Sequence, residues 1–241
     1  MLGKEKSMKK TILLFAIGLF TWSCANSQQT DMPARNKDIK YAKGVSSISK
    51  VEKQVPEGLS RAVFAGGCFW CMEEVFERVK GVEEAVSGYA SPEKDARPTY
   101  ELVCTGTTNY AESVAVFYDP DKVSYEELLT AFFAGHDPTQ LNRQGPDVGT
   151  QYRSAVFYQN DEEKMEAQAY IDKLNASGKY NKPIATTLEP LGVFYVAEAY
   201  HQDYYPSHLN QPYVARVSVP KVEKFTKAHP ELLKEGYKGD K

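Results

Sequence analysis

The stretch Gly66 to Glu74 reads G-G-C-F-W-C-M-E-E, with Cys68 and Cys71 flanking Phe69 and Trp70. A thiol at a helix start faces unpaired N–H groups and the positive end of the helix dipole, and both favour the thiolate, the nucleophilic form. Cys71 lies one turn further on the same side, within reach of a disulfide with Cys68, so the spacing supplies an attacking and a resolving thiol. Three readings compete: a disulfide oxidoreductase, half of a zinc site, and two small residues packed in a helix. Zinc would require a second pair of Cys or His, and the four histidines are scattered at 136, 201, 208 and 229. Large aromatics beside a nucleophilic sulfur form an apolar pocket suited to a methyl or thioether group. A sulfur over a ring edge gains about 0.3–1.5 kcal/mol.

The elements that must position these thiols are legible in outline. Arg61–Ala65 has the pattern of a short buried strand, ended by Gly66-Gly67. From there Phe69, Met72, Phe76 and Val79 recur at steps of three and four, one face of a helix, with Gly81 as the expected C-cap. Ser113–Tyr118, Ser154–Tyr158 and Gly192–Val196 read as strands, and Asp161–Asn175 as a charged helix. Ser124 with Glu127 forms a capping box ahead of Leu128, Leu129, Phe132 and Phe133. The expected fold class is α/β (α+β): a single domain with a mixed β-sheet and helices packed on it as a two-layer sandwich.

The ends of the chain differ in character from this domain. Lys4, Lys6, Lys9 and Lys10 precede an apolar run from Ile12 to Phe20, then Thr21-Trp22-Ser23-Cys24. A basic start and a short apolar core describe a secretory signal over residues 1–24, and the run is far shorter than the roughly 20 residues that span a bilayer. Ser23-Cys24 matches a lipoprotein processing site, with Cys24 as the lipidated residue, and places the protein in a bacterial cell envelope as a periplasmic lipoprotein. Residues 25–58 are polar and aperiodic, a flexible tether. The catalytic domain is expected at 59–230, with a polar tail at 231–241. A net charge of −3 gives no basic excess for nucleic acid. After Cys24, three cysteines remain, and an odd count argues against a purely structural disulfide set. No metal or organic cofactor is implied.

Together G-G-C-F-W-C-M-E, Gly88-Tyr89-Ala90, Pro98-Thr99-Tyr100, Tyr110-Ala111-Glu112, His136-Asp137-Pro138-Thr139, Arg143-Gln144-Gly145 and the run from Asp147 to Ser154 (D-V-G-T-Q-Y-R-S) resemble the methionine sulfoxide reductase A family over residues 61 to 215. The resemblance implies a peptide-methionine (S)-S-oxide reductase that repairs oxidised proteins. In it Cys68 attacks the sulfoxide sulfur, Glu112 is the acid, and Tyr100 and Tyr152 hydrogen-bond the oxygen. Asp147 organises the site, and Phe69 and Trp70 hold the substrate methyl group. Taken alone, Glu112 reads as a surface charge, the tyrosines as core rings and Asp147 as a turn residue.

Two features depart from the family. Asn109-Tyr110 replaces the Gly-His of many members, a change expected at the pocket rim. No cysteine follows Cys104, so the tail thiols that resolve the sulfenic acid in many members are missing. Cys71 is the expected resolving thiol, with Cys104, otherwise read as a buried structural thiol, as the alternative. The expected partners are methionine S-sulfoxide, free or in proteins, and a thioredoxin-like reductant; the membrane is reached only through the lipid anchor, and the protein is expected to be monomeric. The competing activity is an envelope disulfide oxidoreductase using Cys68 and Cys71; a non-enzymatic module that binds oxidised methionine is the other alternative.

Overall fold

The structure, a computed structural model, describes residues 55–93 and 97–238. The expected signal segment, Cys24 and residues 25–54 of the tether lie outside the described residues. The chain runs β1 (Ser60–Gly66), α1 (Phe69–Glu77), β2 (Val82–Ser91), α2 (Tyr100–Cys104), β3 (Ala111–Tyr118), α3 (Tyr125–Gly135), the short β4 (Arg143–Gln144) and β5 (Asp147–Val148), β6 (Ser154–Tyr158), α4 (Asp161–Ala176), β7 (Thr187–Pro190), β8 (Val193–Val196), α5 (Tyr204–Ser207) and α6 (Val219–Ala228).

The main sheet has the order β7-β6-β1-β3-β2-β8. β6 and β7 pair in parallel and every other neighbouring pair is antiparallel, so the sheet is mixed, as expected. The side-chain period of two divides each central strand between two apolar layers. In β1, Ala62 and Phe64 join the large core that also contains Met72, Val75 and Phe132, whereas Val63 and Ala65 join a second, smaller cluster with Ala111, Ala115 and Phe157. Phe64 stacks on Phe76 of α1 and on Phe132 of α3, both at 5.1 Å between centroids. Truncating such a ring to alanine costs about 3–5 kcal/mol. This cluster holds α1 against the sheet and so fixes where its first residue points.

The expected strands and helices are present, with ends that shift by one or two residues. The capping box forms: Ser124 Oγ accepts the Glu127 N–H at 3.2 Å, and Glu127 Oε2 accepts the Ser124 N–H at 2.9 Å. Two boundaries are corrected. α1 ends at Glu77 with Arg78 as its C-cap, not at Gly81. The C-terminal segment takes over the backbone there: Lys80 N–H donates to Leu232 O, Lys234 N–H donates to Arg78 O, and Val79 bridges Leu233. Gly81 instead makes the turn into β2 at φ +77, where a Cβ would meet Val123 at 2.8 Å. For the same reason the folded unit passes the expected boundary at Pro230, since Leu232 and Leu233 are buried. Among the elements without a sequence assignment is β2. Its ten residues are buried almost throughout, including Glu84, so no polar–apolar alternation betrays it.

Candidate active site

β1 delivers the chain to a junction that only glycine permits. Gly67 has φ +86, and a Cβ there would lie 2.4 Å from Gln144 Cβ. Cys68 follows as the N-cap of α1, buried, and its sulfur makes no capping hydrogen bond. The first helical N–H, that of Phe69, donates instead to Glu112 Oε2 at 3.1 Å. Glu112 reaches this point because β3 carries it opposite Tyr89 of β2, in the middle of the sheet. It is 2 % exposed, which corrects its isolated reading as a surface charge. Burial pushes its pKa up to about 8 against the opposing Phe69 N–H, with Asp147 and Cys71 adding to the rise. At neutral pH this carboxyl keeps its proton.

Cys68, Phe69, Trp70, Tyr100, Glu112, Asp147 and Tyr152 line one cavity of about 250 Å³, so all the expected catalytic and pocket residues meet. Burial raises the pKa values of the Tyr100 and Tyr152 phenols, with Glu112 next in effect, so both remain donors. Tyr152 comes from a 3-10 turn at Thr150–Tyr152 that follows Gly149, whose φ is +144. Trp70 lies flat on Tyr204, 3.8 Å between centroids, and donates its Nε1–H to His201 Nδ1 at 3.1 Å. A larger cleft of about 790 Å³ around Phe133, Asp137 and Tyr180 contains no thiol and lies away from this chemistry.

Residues that sequence reading did not single out complete the cavity. Gln211 and Tyr213 also line it, and Tyr213 donates its hydroxyl to Asp147 Oδ2 at 2.5 Å. Glu198 accepts the Tyr100 N–H at 2.9 Å and the Tyr89 hydroxyl at 2.8 Å, so one carboxylate aligns a pocket wall from two elements. His201, buried, lies against both Phe69 and Tyr100, with centroids 4.9 and 4.6 Å away. The signal available for these was the density of aromatic and polar residues from Glu198 to Tyr213, C-terminal to β8.

The thiols depart from expectation in two ways. Burial, followed by the Cys71 sulfur and the Glu112 charge, holds Cys68 well above the ordinary cysteine value; only the Tyr213 hydroxyl opposes. The helix start therefore does not make Cys68 a resting thiolate, because its first N–H serves Glu112. Cys71, also buried, is brought down to about 7, first by a hydrogen bond from Cys68 and then by Lys221 and Ser218, against burial and Asp147. Cys71 Sγ lies 3.1 Å from Ser218 Oγ. Cys104 is exposed, not a buried structural thiol. It stands one turn after Tyr100 in α2 and outside the cavity lining. Tyr110 is fully buried and packs edge-on against Tyr195, whereas Asn109 is exposed, and neither residue lines the active-site cavity. Among the described residues, no three His, Cys, Asp or Glu side chains are grouped to hold a metal ion, and no helix is long and apolar enough to cross a membrane.

Comparison with known proteins agrees with this geometry. The family model for peptide methionine sulfoxide reductase matches residues 60–233. A peptide methionine sulfoxide reductase MsrA of Nitratiruptor is 54 % identical over 172 residues, 71 % of this chain and 97 % of the relative. One from Thermus thermophilus is 51 % identical over 173 residues, 72 % of this chain and 97 % of the relative. The solved structure of reduced Mxr1 from Saccharomyces cerevisiae aligns with a TM-score of 0.60 at 36 % identity, covering 69 % of this chain and 92 % of that one. Methionine sulfoxide reductase A of Corynebacterium diphtheriae aligns at 0.55 and 36 % identity, covering 64 % and 76 %. The protein described here belongs to the peptide methionine sulfoxide reductase family.

Proposed function

We propose that the protein reduces methionine S-sulfoxide, free or in proteins, to methionine, and thereby repairs oxidised proteins. One observation carries the reading: a single buried thiol, Cys68, shares an aromatic-walled cavity with a carboxyl that is protonated at neutral pH. The substrate methyl group packs on Phe69 and Trp70, and the oxygen takes hydrogen bonds from Glu112, Tyr100 and Tyr152. Neutral phenols suit an oxygen that gains negative charge in the transition state. Cys68 attacks the sulfoxide sulfur, Glu112 transfers its proton to the oxygen, and the S–O bond breaks. Methionine sulfur gains two electrons and Cys68 loses two, becoming a sulfenic acid. The proton given up by the Cys68 thiol returns to Glu112. Asp147 holds Tyr213 beside Cys68 and so orders this wall.

Cys71 then attacks the Cys68 sulfur. A disulfide forms, the sulfenic oxygen leaves as water, and a thioredoxin-like dithiol reopens the pair by exchange. Cys104 is the alternative resolver; it would have to pass Tyr100 to reach Cys68. A plain disulfide oxidoreductase would have no use for Glu112, Tyr100 and Tyr152 around one sulfur. Action as a monomer belongs to the same proposal.

The test is to add methionine S-sulfoxide to the fully reduced protein without any other thiol, then count thiols and map disulfides by mass spectrometry. One methionine formed and two thiols lost per chain is expected, with Cys68 joined to Cys71. No methionine formed would overturn the reading. Export and lipidation at Cys24, with residues 25–58 as tether, belong to the same proposal and rest on the lysine-rich start and the Ser23-Cys24 site. A fatty-acid label that enters the parent and not Cys24→Ser is expected; equal labelling of both rules the anchor out.

A further inference from the structure

The segment after Tyr213 carries no thiol, yet it is built around Cys71. It begins as a π-helical turn at Val214–Ser218 and continues directly into α6. Single π turns inside helices recur at functional sites, because the extra residue redirects side chains that a regular helix would aim elsewhere. Here the turn leaves Tyr213 on the cavity and Ser218, with no exposed surface, 3.1 Å from Cys71 Sγ. One helical turn later, Lys221 Nζ is buried and has no hydrogen-bond partner among the described residues. An ammonium buried without a counter-charge destabilises a fold and is replaced at a gain by an apolar side chain unless a negative group faces it. The titratable groups whose charges act on Cys71 are Cys68 in α1, Asp147 in β5, Glu112 in β3, Tyr205 in α5, Tyr213, and Lys221 in α6. Lys221 is the one cation in this set.

We propose that Lys221 and Ser218 prepare Cys71 for the resolving step: the ammonium holds its sulfur as a thiolate, and the hydroxyl aims that sulfur at Cys68. The proposal rests on the reading of Cys71 as the resolving thiol. The Cys71 thiolate forms a bond to the Cys68 sulfenic sulfur as the S–O bond breaks, Cys71 is oxidised and the sulfenic sulfur reduced, and the hydroxide takes a proton to leave as water. The thiolate is needed because it is the attacking form in disulfide chemistry. Lys221 and Ser218 are thus positioning residues that act through Cys71. They stand in a C-terminal segment that contains no cysteine of its own.

The test uses the full reduced chain mixed with one equivalent of methionine S-sulfoxide and quenched at successive times. Methionine and the mapped disulfide are followed separately from pH 5.5 to 9. Lys221→Met is expected to form methionine at the parent rate while closing the disulfide about tenfold more slowly at pH 7, with the pH midpoint of closure moved up by about one unit. Lys221→Arg should restore both, and Ser218→Ala should slow closure and move the midpoint up by less than Lys221→Met does. Because Lys221 Nζ makes no hydrogen bond, Lys221→Met breaks none, and the variant should keep a single cooperative thermal transition. Parent-like closure and profile in Lys221→Met would sink the role of Lys221 while leaving Cys71 as resolver. Equal slowing of both steps without rescue by arginine would also overturn it, as a packing effect. A parent disulfide that joins Cys68 to Cys104 would refute the Cys71 reading, and this proposal with it.

Discussion

The backbone N–H of Phe69 donates to the carboxyl of Glu112 at 3.1 Å. That hydrogen bond joins the first turn of α1 to the centre of the sheet and spends the first free donor of the helix on the acid, not on the thiol beside it. It also opposes the burial that raises the Glu112 pKa, leaving it at about 8. The site therefore rests with a protonated acid and a neutral nucleophile. This arrangement polarises a sulfoxide oxygen while exposing little thiolate to other oxidants.

Activity should follow the protonated fraction of Glu112. Its folded pKa is raised, so the acid is present below about pH 8 and is lost as pH rises through that value. Glu112→Gln can donate a hydrogen bond and cannot transfer a proton, so single-turnover methionine formation at pH 7 should fall by about 10²–10³-fold. The alkaline limb of the pH–rate profile should flatten in the same variant. A single-turnover rate equal to the parent's would remove Glu112 as the acid.

Cys71→Ser separates the half-reactions. It should yield one methionine per chain in the absence of reductant and no internal disulfide, with Cys68 trapped as a sulfenic acid by dimedone. Cys68→Ser should yield no methionine. An internal disulfide that persists in Cys71→Ser would identify Cys104 as the resolver, despite its place outside the cavity lining.

Tyr213→Phe removes the hydroxyl that joins Asp147 to the thiol. Tyr213 donates its hydroxyl to Asp147 Oδ2 at 2.5 Å, so the phenol orders the site, with oxygen binding assigned to Tyr100 and Tyr152. Loss of one such charge-assisted hydrogen bond, typically about 1.5–3 kcal/mol, should lower kcat/KM roughly ten- to hundredfold while methionine still forms in stoichiometric amount. Tyr100→Phe with Tyr152→Phe should cost more, and parallel kinetics of the three variants would check the division of labour.

Acid stability should be set in part by His136. Its Nδ1–H donates to Phe132 O at 2.7 Å, so its Nε2 accepts from Ser154 Oγ at 2.7 Å, and the ring is neutral in the fold. Burial holds its pKa down at about 4. A lowered histidine pKa means the unfolded chain takes up the proton first. Stability is thus full above about pH 6.5 and declines as pH falls to about 4, by roughly 3 kcal/mol in total. Denaturant titrations between pH 7 and 4 should show this slope, and His136→Gln should be less stable at pH 7 with a flatter profile.

Much of the site was legible from local pattern. The strand, glycine pair and helix around Cys68 show in a change of period from two to 3.6 and in Gly67, placed where φ turns positive. The capping box at Ser124 and Glu127 and the charged helix from Asp161 are equally local, since caps and periodicity depend on residues within one turn. The motifs carrying the family resemblance named every expected lining residue in order along the chain.

Tertiary structure alone decided the state of those residues. Glu112 reads as a surface charge until β2 and α1 cover it, and its raised pKa follows from that cover. Cys68 sits at a helix start that should favour its thiolate, and burial reverses the preference. Cys104 reads as a buried thiol and is exposed. Glu198, His201, Tyr213, Ser218 and Lys221 come from a C-terminal stretch with no catalytic pattern, and folding brings it against α1. Residue types and short spacings are properties of the chain itself. Burial, the partners of a buried charge and the pKa values they set depend on contacts more than a hundred residues apart, such as Cys71 with Ser218, and arise only when the chain closes on itself.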